Sequence, residues 1–78
     1  MTTLAATRGE SEQAVIEVID ESDTAVVGHY DGASLVGYIT VNAPVSVAAI
    51  VAALPGNGWQ GNPACDEWLE WAKTQRGE

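Results

Sequence analysis

The chain has 78 residues, eleven of them acidic and three basic, for a formal net charge of −8, with one cysteine and one histidine. A chain of this length makes one small domain with a thin core, and a single Cys65 excludes an internal disulfide framework. Nucleic acids and anionic membranes attract proteins through Lys and Arg, so the charge balance argues against direct binding to either.

The N-terminal stretch MTTLAATRGES has no basic start followed by an apolar run, so no signal peptide is expected. The longest apolar run, VAAIVAAL, is far short of the roughly 20 residues that span a bilayer. A lone cysteine fits a reducing compartment, and a soluble, cytoplasmic protein is expected. Residues 1–12 read as a flexible segment or edge strand, and residues 13–78 as a single domain.

Ala14–Asp20, AVIEVID, is rich in β-branched residues and predicts a strand. Glu21–Asp23 follows as a turn, and Thr24–Tyr30 as the second strand. Asp31-Gly32 predicts a two-residue hairpin loop, because a type I′ turn needs positive φ at both central positions. Ala33–Val41 completes an antiparallel meander. With Asp31 and Gly32 as the loop, Tyr30 faces Ala33, His29 faces Ser34, Val27 faces Val36 and Ala25 faces Tyr38. A three-residue loop at Glu21–Asp23 then sets Glu17 against Val27 and Val15 against His29. On this register one face carries Val18, Val26, Leu35, Ile39 and Val41 and forms the core side. The other carries Val15, Glu17, Ile19, Val27, His29, Val36, Tyr38 and Thr40. A one-residue slip in a loop inverts a strand's faces.

Asn42 is read as the N-cap of a helix with Pro44 in its first turn, running to Leu54. Its core stripe is Val47, Ile50, Val51 and Leu54, and Ser46, Ala48, Ala49, Ala52 and Ala53 make a small-residue side. Pro55 and Gly56 end it. Asn62-Pro63 starts a second helix as N-cap and first helical residue, with Asp66 and Glu67 near its positive end and Lys73 near its negative end. Cys65, Trp68, Leu69 and Ala72 form its apolar face, with Trp71 at the margin. The predicted fold is α+β: a three- to four-stranded antiparallel meander followed by an α-helical hairpin packed on one face.

Gly56-Asn57-Gly58-Trp59-Gln60-Gly61 matches the G-x-G-x-x-G spacing of a dinucleotide loop. That loop works because its glycines leave a strand and enter a helix whose N–H groups meet the phosphates. Here the glycines leave a helix, so the stretch reads as helix stop, loop and helix start, with Trp59 folding back to cover the open end of the hairpin. Asp20, Ser22, Thr24 and Asp31 fall at positions 1, 3, 5 and 12 of a calcium loop, but Ala25 stands where that loop requires glycine. His29 has no nucleophile or orienting acid in the pattern. Cys65 near a helix start invites a reactive-thiol reading, yet it shares the Trp68 face and reads as packed. Glu17 and Asp20 point to opposite faces and make no catalytic pair. No enzyme activity, cofactor or metal is expected.

Binding through a surface remains. From Gly32 to Cys65 the chain carries no charge, while seven acids precede this stretch and four follow it. A helical hairpin covers one side of the sheet, so the other side is expected to offer Glu17, Ile19, Val27, His29, Val36 and Tyr38 to a protein partner. Asp20, Glu21, Asp23 and Asp31 at the hairpin ends would steer it toward a basic surface. Self-association through the same face, as a homodimer or a homo-oligomeric structural or adaptor protein, is the alternative.

The order of strand hairpins, helix, Leu54-Pro55-Gly56-Asn57-Gly58 loop and closing helix, with Val36-Gly37 after the hairpin turn, resembles a small phage anti-CRISPR protein that inhibits type I-F surveillance complexes. The resemblance runs from about Ala14 to Gln75. It implies a phage inhibitor in the bacterial cytoplasm whose sheet docks on the backbone subunits of a guide-RNA complex and blocks pairing with target DNA. The partner so implied is a nucleic-acid-binding host defence complex. Where that inhibitor presents an aromatic on its sheet this chain places Glu17, so the resemblance transfers no contact residue.

Overall fold

The computed structural model describes residues 3–20 and 22–75. Five strands form one antiparallel sheet: β1 (Thr3–Arg8), β2 (Glu12–Ile19), β3 (Ala25–Asp31), β4 (Ser34–Val41) and the two-residue β5 (Gln60–Gly61). Their spatial order is β4-β3-β2-β1-β5. Helix α1 (Val47–Ala53) lies between β4 and β5, and α2 (Ala64–Gln75) closes the chain. The α+β class is as expected, with a larger sheet.

One extra strand comes from the stretch read as a flexible segment or edge strand, the other from the loop before α2. Thr3–Arg8 pairs with β2 on one side and with β5 on the other, so it is an interior strand. Its composition hid this: Ala5 and Ala6 are fully buried, and small side chains give little hydrophobic signal. They let the helices approach the sheet closely. Gly61 continues the same economy, since a Cβ there would collide with the Val47 side chain.

The faces differ from those expected, because both hairpin loops are set differently. Asp31 pairs with Ser34, so the β3–β4 loop is Gly32-Ala33, led by Gly32 at φ 62. Val36 is the extra residue of a bulge, after which His29 pairs with Gly37 and Val27 with Ile39. At the other end Ile19 pairs with Ala25, so the loop is Asp20–Thr24, and a bulge lies between Ile16 and Val18. A bulge adds one residue to one strand and reverses the alternation beyond it. Val27, His29, Ile39 and Val41 therefore share the core side with Ala14, Ile16 and Ala25, and Ile19 packs against that core. Val18 and Leu35 stand exposed on the opposite face, which Val26 also joins through its pairing with Val18.

Helix α1 starts later than the sequence suggests. Ser46 is its N-cap, the hydroxyl accepting from the Ala49 N–H at 3.1 Å, and Ala43-Pro44 is a cis peptide upstream. Asn62 caps α2 as expected, its side-chain oxygen accepting from the Ala64 N–H at 3.1 Å. The two helices are joined where Asp66 accepts the Val47 N–H at 3.0 Å, satisfying an N-terminal donor that has no partner within its own helix. Val47, Ile50 and Leu54 from α1 and Cys65 and Leu69 from α2 fill one core with the sheet.

Candidate interaction surface

The sheet has two unlike faces. On the covered face a polar and aromatic cluster sits beneath the glycine loop. Arg8 donates from Nε to Glu12 Oε1 at 3.0 Å and from Nη2 to Oε2 at 2.7 Å, a two-point contact across the β1–β2 turn. The same carboxylate meets His29 Nε2 at 2.9 Å. Arg8 also donates to the carbonyls of Pro55 at 2.8 Å and Asn57 at 3.4 Å, and its guanidinium lies over Trp59, 4.8 Å from the ring centroid. Trp59 Nε1 donates to the Pro55 carbonyl at 2.9 Å, and the indole meets the His29 ring in a T-shaped contact at 5.2 Å.

This cluster explains the glycine loop. A phosphate cradle aims N–H groups at an anion; this loop aims carbonyl oxygens at a cation. Gly56, at φ 83, lies so close to the Arg8 side chain that a Cβ would collide with it. The glycines let the backbone close over Arg8. The Arg8 charge is matched by Glu12, whose carboxyl is held down at about 2 by the Arg8 and His29 hydrogen bonds. Trp59 does fold back, as expected, but onto Arg8 and His29.

The remaining chemistry-bearing residues are also engaged. Asp20 Oδ1 accepts from Ser22 N–H, Ser22 Oγ and Thr24 N–H at 2.8–3.0 Å, so it builds the β2–β3 turn. Asp23 pairs with Lys73 at 3.3 Å, tying that turn to the end of α2. Asp31 accepts from Ser11 Oγ at 2.7 Å. Cys65 is buried and donates to the Leu4 carbonyl, and burial raises its thiol above the ordinary range. Among the described residues no group of three or more His, Cys, Asp or Glu side chains is placed to hold a metal ion. No helix among them is long and apolar enough to cross a membrane.

Among the described residues the other face carries no helix. Val18, Leu35, Val36 and Tyr38 are 52%, 46%, 61% and 58% exposed. Val15, Val26 and Tyr30 lie half-buried between them. A shallow depression of about 430 Å³ is lined by Gln13, Val15, Glu17, Tyr30, Gly32 and Ala33. The Tyr30 hydroxyl donates to Glu17 at 3.0 Å, and that carboxylate raises the Tyr30 phenol above its usual range. The Tyr30 ring and Glu17 lie over Gly28, filling the space a side chain would take.

Of the residues expected at the interface, the structure brings Glu17, Val36 and Tyr38 to this face. Val27 and His29 are buried on the other side and Ile19 packs there too, so these three are corrected. Asp20, Asp23 and Asp31 rim the hairpin ends, and Glu21 lies outside the described residues. Val18, Leu35 and Tyr30 were missed as surface residues because each lies where a bulge or loop resets the alternation; no local sequence signal marks those bulges. No protein-family model, curated protein or solved structure matches the chain.

Proposed function

We propose that this chain is a small acidic protein-binding module that uses its uncovered sheet face to occlude a basic surface on a protein partner. The observation that carries this reading is the group Val18, Leu35, Val36 and Tyr38, each roughly half exposed or more on one face. Contiguous apolar patches on soluble domains mark interaction sites, and aromatic residues serve well as interface anchors. Glu17 within the face and the rim acids Asp20 and Asp31 favour a basic partner, and long-range steering would speed the encounter at low salt.

Face-to-face stacking of two copies is a poorer use of this surface. Sheets stack about 10 Å apart, which would set two Glu17 carboxylates in a common interface without a cation from the same face among the described residues. The resemblance carried by Leu54–Gly58 makes the most specific form of the proposal an anti-CRISPR inhibitor of a type I surveillance complex that keeps target DNA from its guide RNA.

The test is target-DNA binding by a purified type I complex, measured with labelled DNA at two salt concentrations. Loss of DNA binding on adding the protein, reversed by Val36→Lys and Tyr38→Lys, supports the inhibitor reading. Unchanged DNA binding at large excess overturns it for that complex. Variants on the face that leave every partner interaction intact would overturn the module itself.

A further inference from the structure

The two edges of the sheet are built differently. β5, at one edge, has two residues, and very short edge strands are a common way to prevent unwanted pairing. β4, at the other edge, has eight residues and carries neither charge nor proline. Natural edge strands are usually protected by Lys, Pro or an inward-pointing charge. Among the described residues, Ser34–Val41 makes no backbone hydrogen bond beyond its ladder to β3. The bulge at Val36 interrupts that ladder near the turn, but Gly37–Val41 pairs with His29–Ala25 without a break. Along these five residues the N–H and C=O groups that point away from β3 are left as an unpaired row.

We propose that two copies of the chain pair antiparallel through Gly37–Val41, joining their sheets into one ten-stranded sheet. Ile39 lies on the two-fold axis. Tyr38 then faces Thr40 of the partner subunit on the open side, and Gly37 faces Val41 of the partner subunit on the helix side. Residues opposite one another share a face in antiparallel pairing, so this register keeps both helix layers together.

Charge decides for a second copy at this edge. Every acid lies outside Gly32–Cys65 in sequence. In space the nearest acid on a strand is Asp31, at the turn end of β3 one strand inward, and the other strand acids nearest this edge are on β2, two strands inward. At roughly 4.8 Å per strand spacing, five spacings separate the two β2 strands, about 24 Å in all, three times the ~8 Å Debye length at physiological salt. The antiparallel sense also sets each Asp31 turn away from the Asp31 of the other copy and at the end that carries its Asp20 and Asp23. The two β3 strands are three spacings, about 14 Å, apart, still beyond the ~8 Å Debye length. Two protomers of charge −8 thereby meet along their one long uncharged edge. The open faces remain free and lie side by side, so the pairing does not depend on the function proposed above.

The experiment is sedimentation equilibrium of the free protein across a wide concentration range, with amide hydrogen exchange read in parallel. The expected result is a mass approaching twice 8.2 kDa as concentration rises, little affected by salt, with β4 amides exchanging more slowly in step. The double variant Tyr38→Lys/Thr40→Lys sets like charges opposite each other and should return the mass to the monomer. The amides of β1 to β3 should keep their protection, showing that the fold persists. A monomer at every concentration, with β4 exchange independent of concentration, overturns the proposal. So does a dimer that survives the double variant but is lost in Val15→Lys or Val18→Lys, which would place the contact on the face.

Discussion

Arg8 holds Trp59 from above while His29 meets it from the sheet. The guanidinium lies 4.8 Å from the indole centroid, and the imidazole makes its T-shaped contact at 5.2 Å. Three distant parts of the chain (β1, β3 and the loop before β5) are thereby fastened at one indole. Trp59→Ala should cost roughly 3–5 kcal/mol, a large share of the 5–15 kcal/mol typical of small domains. Trp59→Phe keeps an aromatic ring but loses the pyrrole half of the indole and the Nε1–Pro55 hydrogen bond, and should cost less than Trp59→Ala, about 1–3 kcal/mol. Urea midpoints of the two variants check the order; equal losses would mean that the ring contacts contribute little.

Glu12 ties this cluster to solution pH. Its carboxyl falls from 4.5 to about 2 in the folded protein because Arg8 and His29 donate to it. A group whose folded value is depressed stabilises fully above its unfolded value, and that contribution disappears as pH falls through the folded value. Stability should therefore decline from about pH 5 down to about 2. Glu12→Gln should flatten that part of the curve while lowering stability at neutral pH. Denaturant unfolding at a series of pH values tests it, and an unchanged acid limb in Glu12→Gln would count against the assignment.

Gly61 and Gly37 make a matched pair. A Cβ at Gly61 collides with Val47, a stiff, buried side chain, whereas one at Gly37 meets nothing within 4 Å. Gly61→Ala should destabilise by roughly 1–3 kcal/mol through overpacking. Gly37→Ala should be neutral or stabilising by up to about 1 kcal/mol, because alanine restricts the unfolded chain. Thermal unfolding of both variants separates the two effects.

Cys65 should be inert in the folded protein. Its thiol is buried, bonded to the Leu4 carbonyl and raised above the ordinary thiol range by burial. Only the thiolate attacks, and only where a reagent can reach it. Labelling by a thiol reagent should be slow at neutral pH, and urea should accelerate it in step with unfolding. Rapid labelling of the native protein would show that α2 opens locally from β1.

Composition and pattern alone determined the class of this protein. The β-branched runs at Ala14–Ile19 and Ala25–Tyr30, the Pro55-Gly56 stop and the Asn62 cap are local signals, and each stands within a residue or two of its expected place. The reading of Gly56–Gly61 as a turn also rested on local order, since its glycines follow a helix. Which face of the sheet is open was decided by tertiary structure. Side chains alternate with a period of two, so one extra residue reverses a strand, and the bulges at Glu17 and Val36 leave no mark in composition. They moved Val27 and His29 inward and Val18 and Leu35 outward. The interior place of the Thr3–Arg8 strand, read as a flexible segment or edge strand, was equally hidden, because Ala5 and Ala6 are buried for their small size beneath the helices. The Arg8–Glu12–His29–Trp59 cluster joins residues up to 51 positions apart in the chain. Only the folded sheet supplies that proximity, because no local spacing links a loop indole to a strand guanidinium.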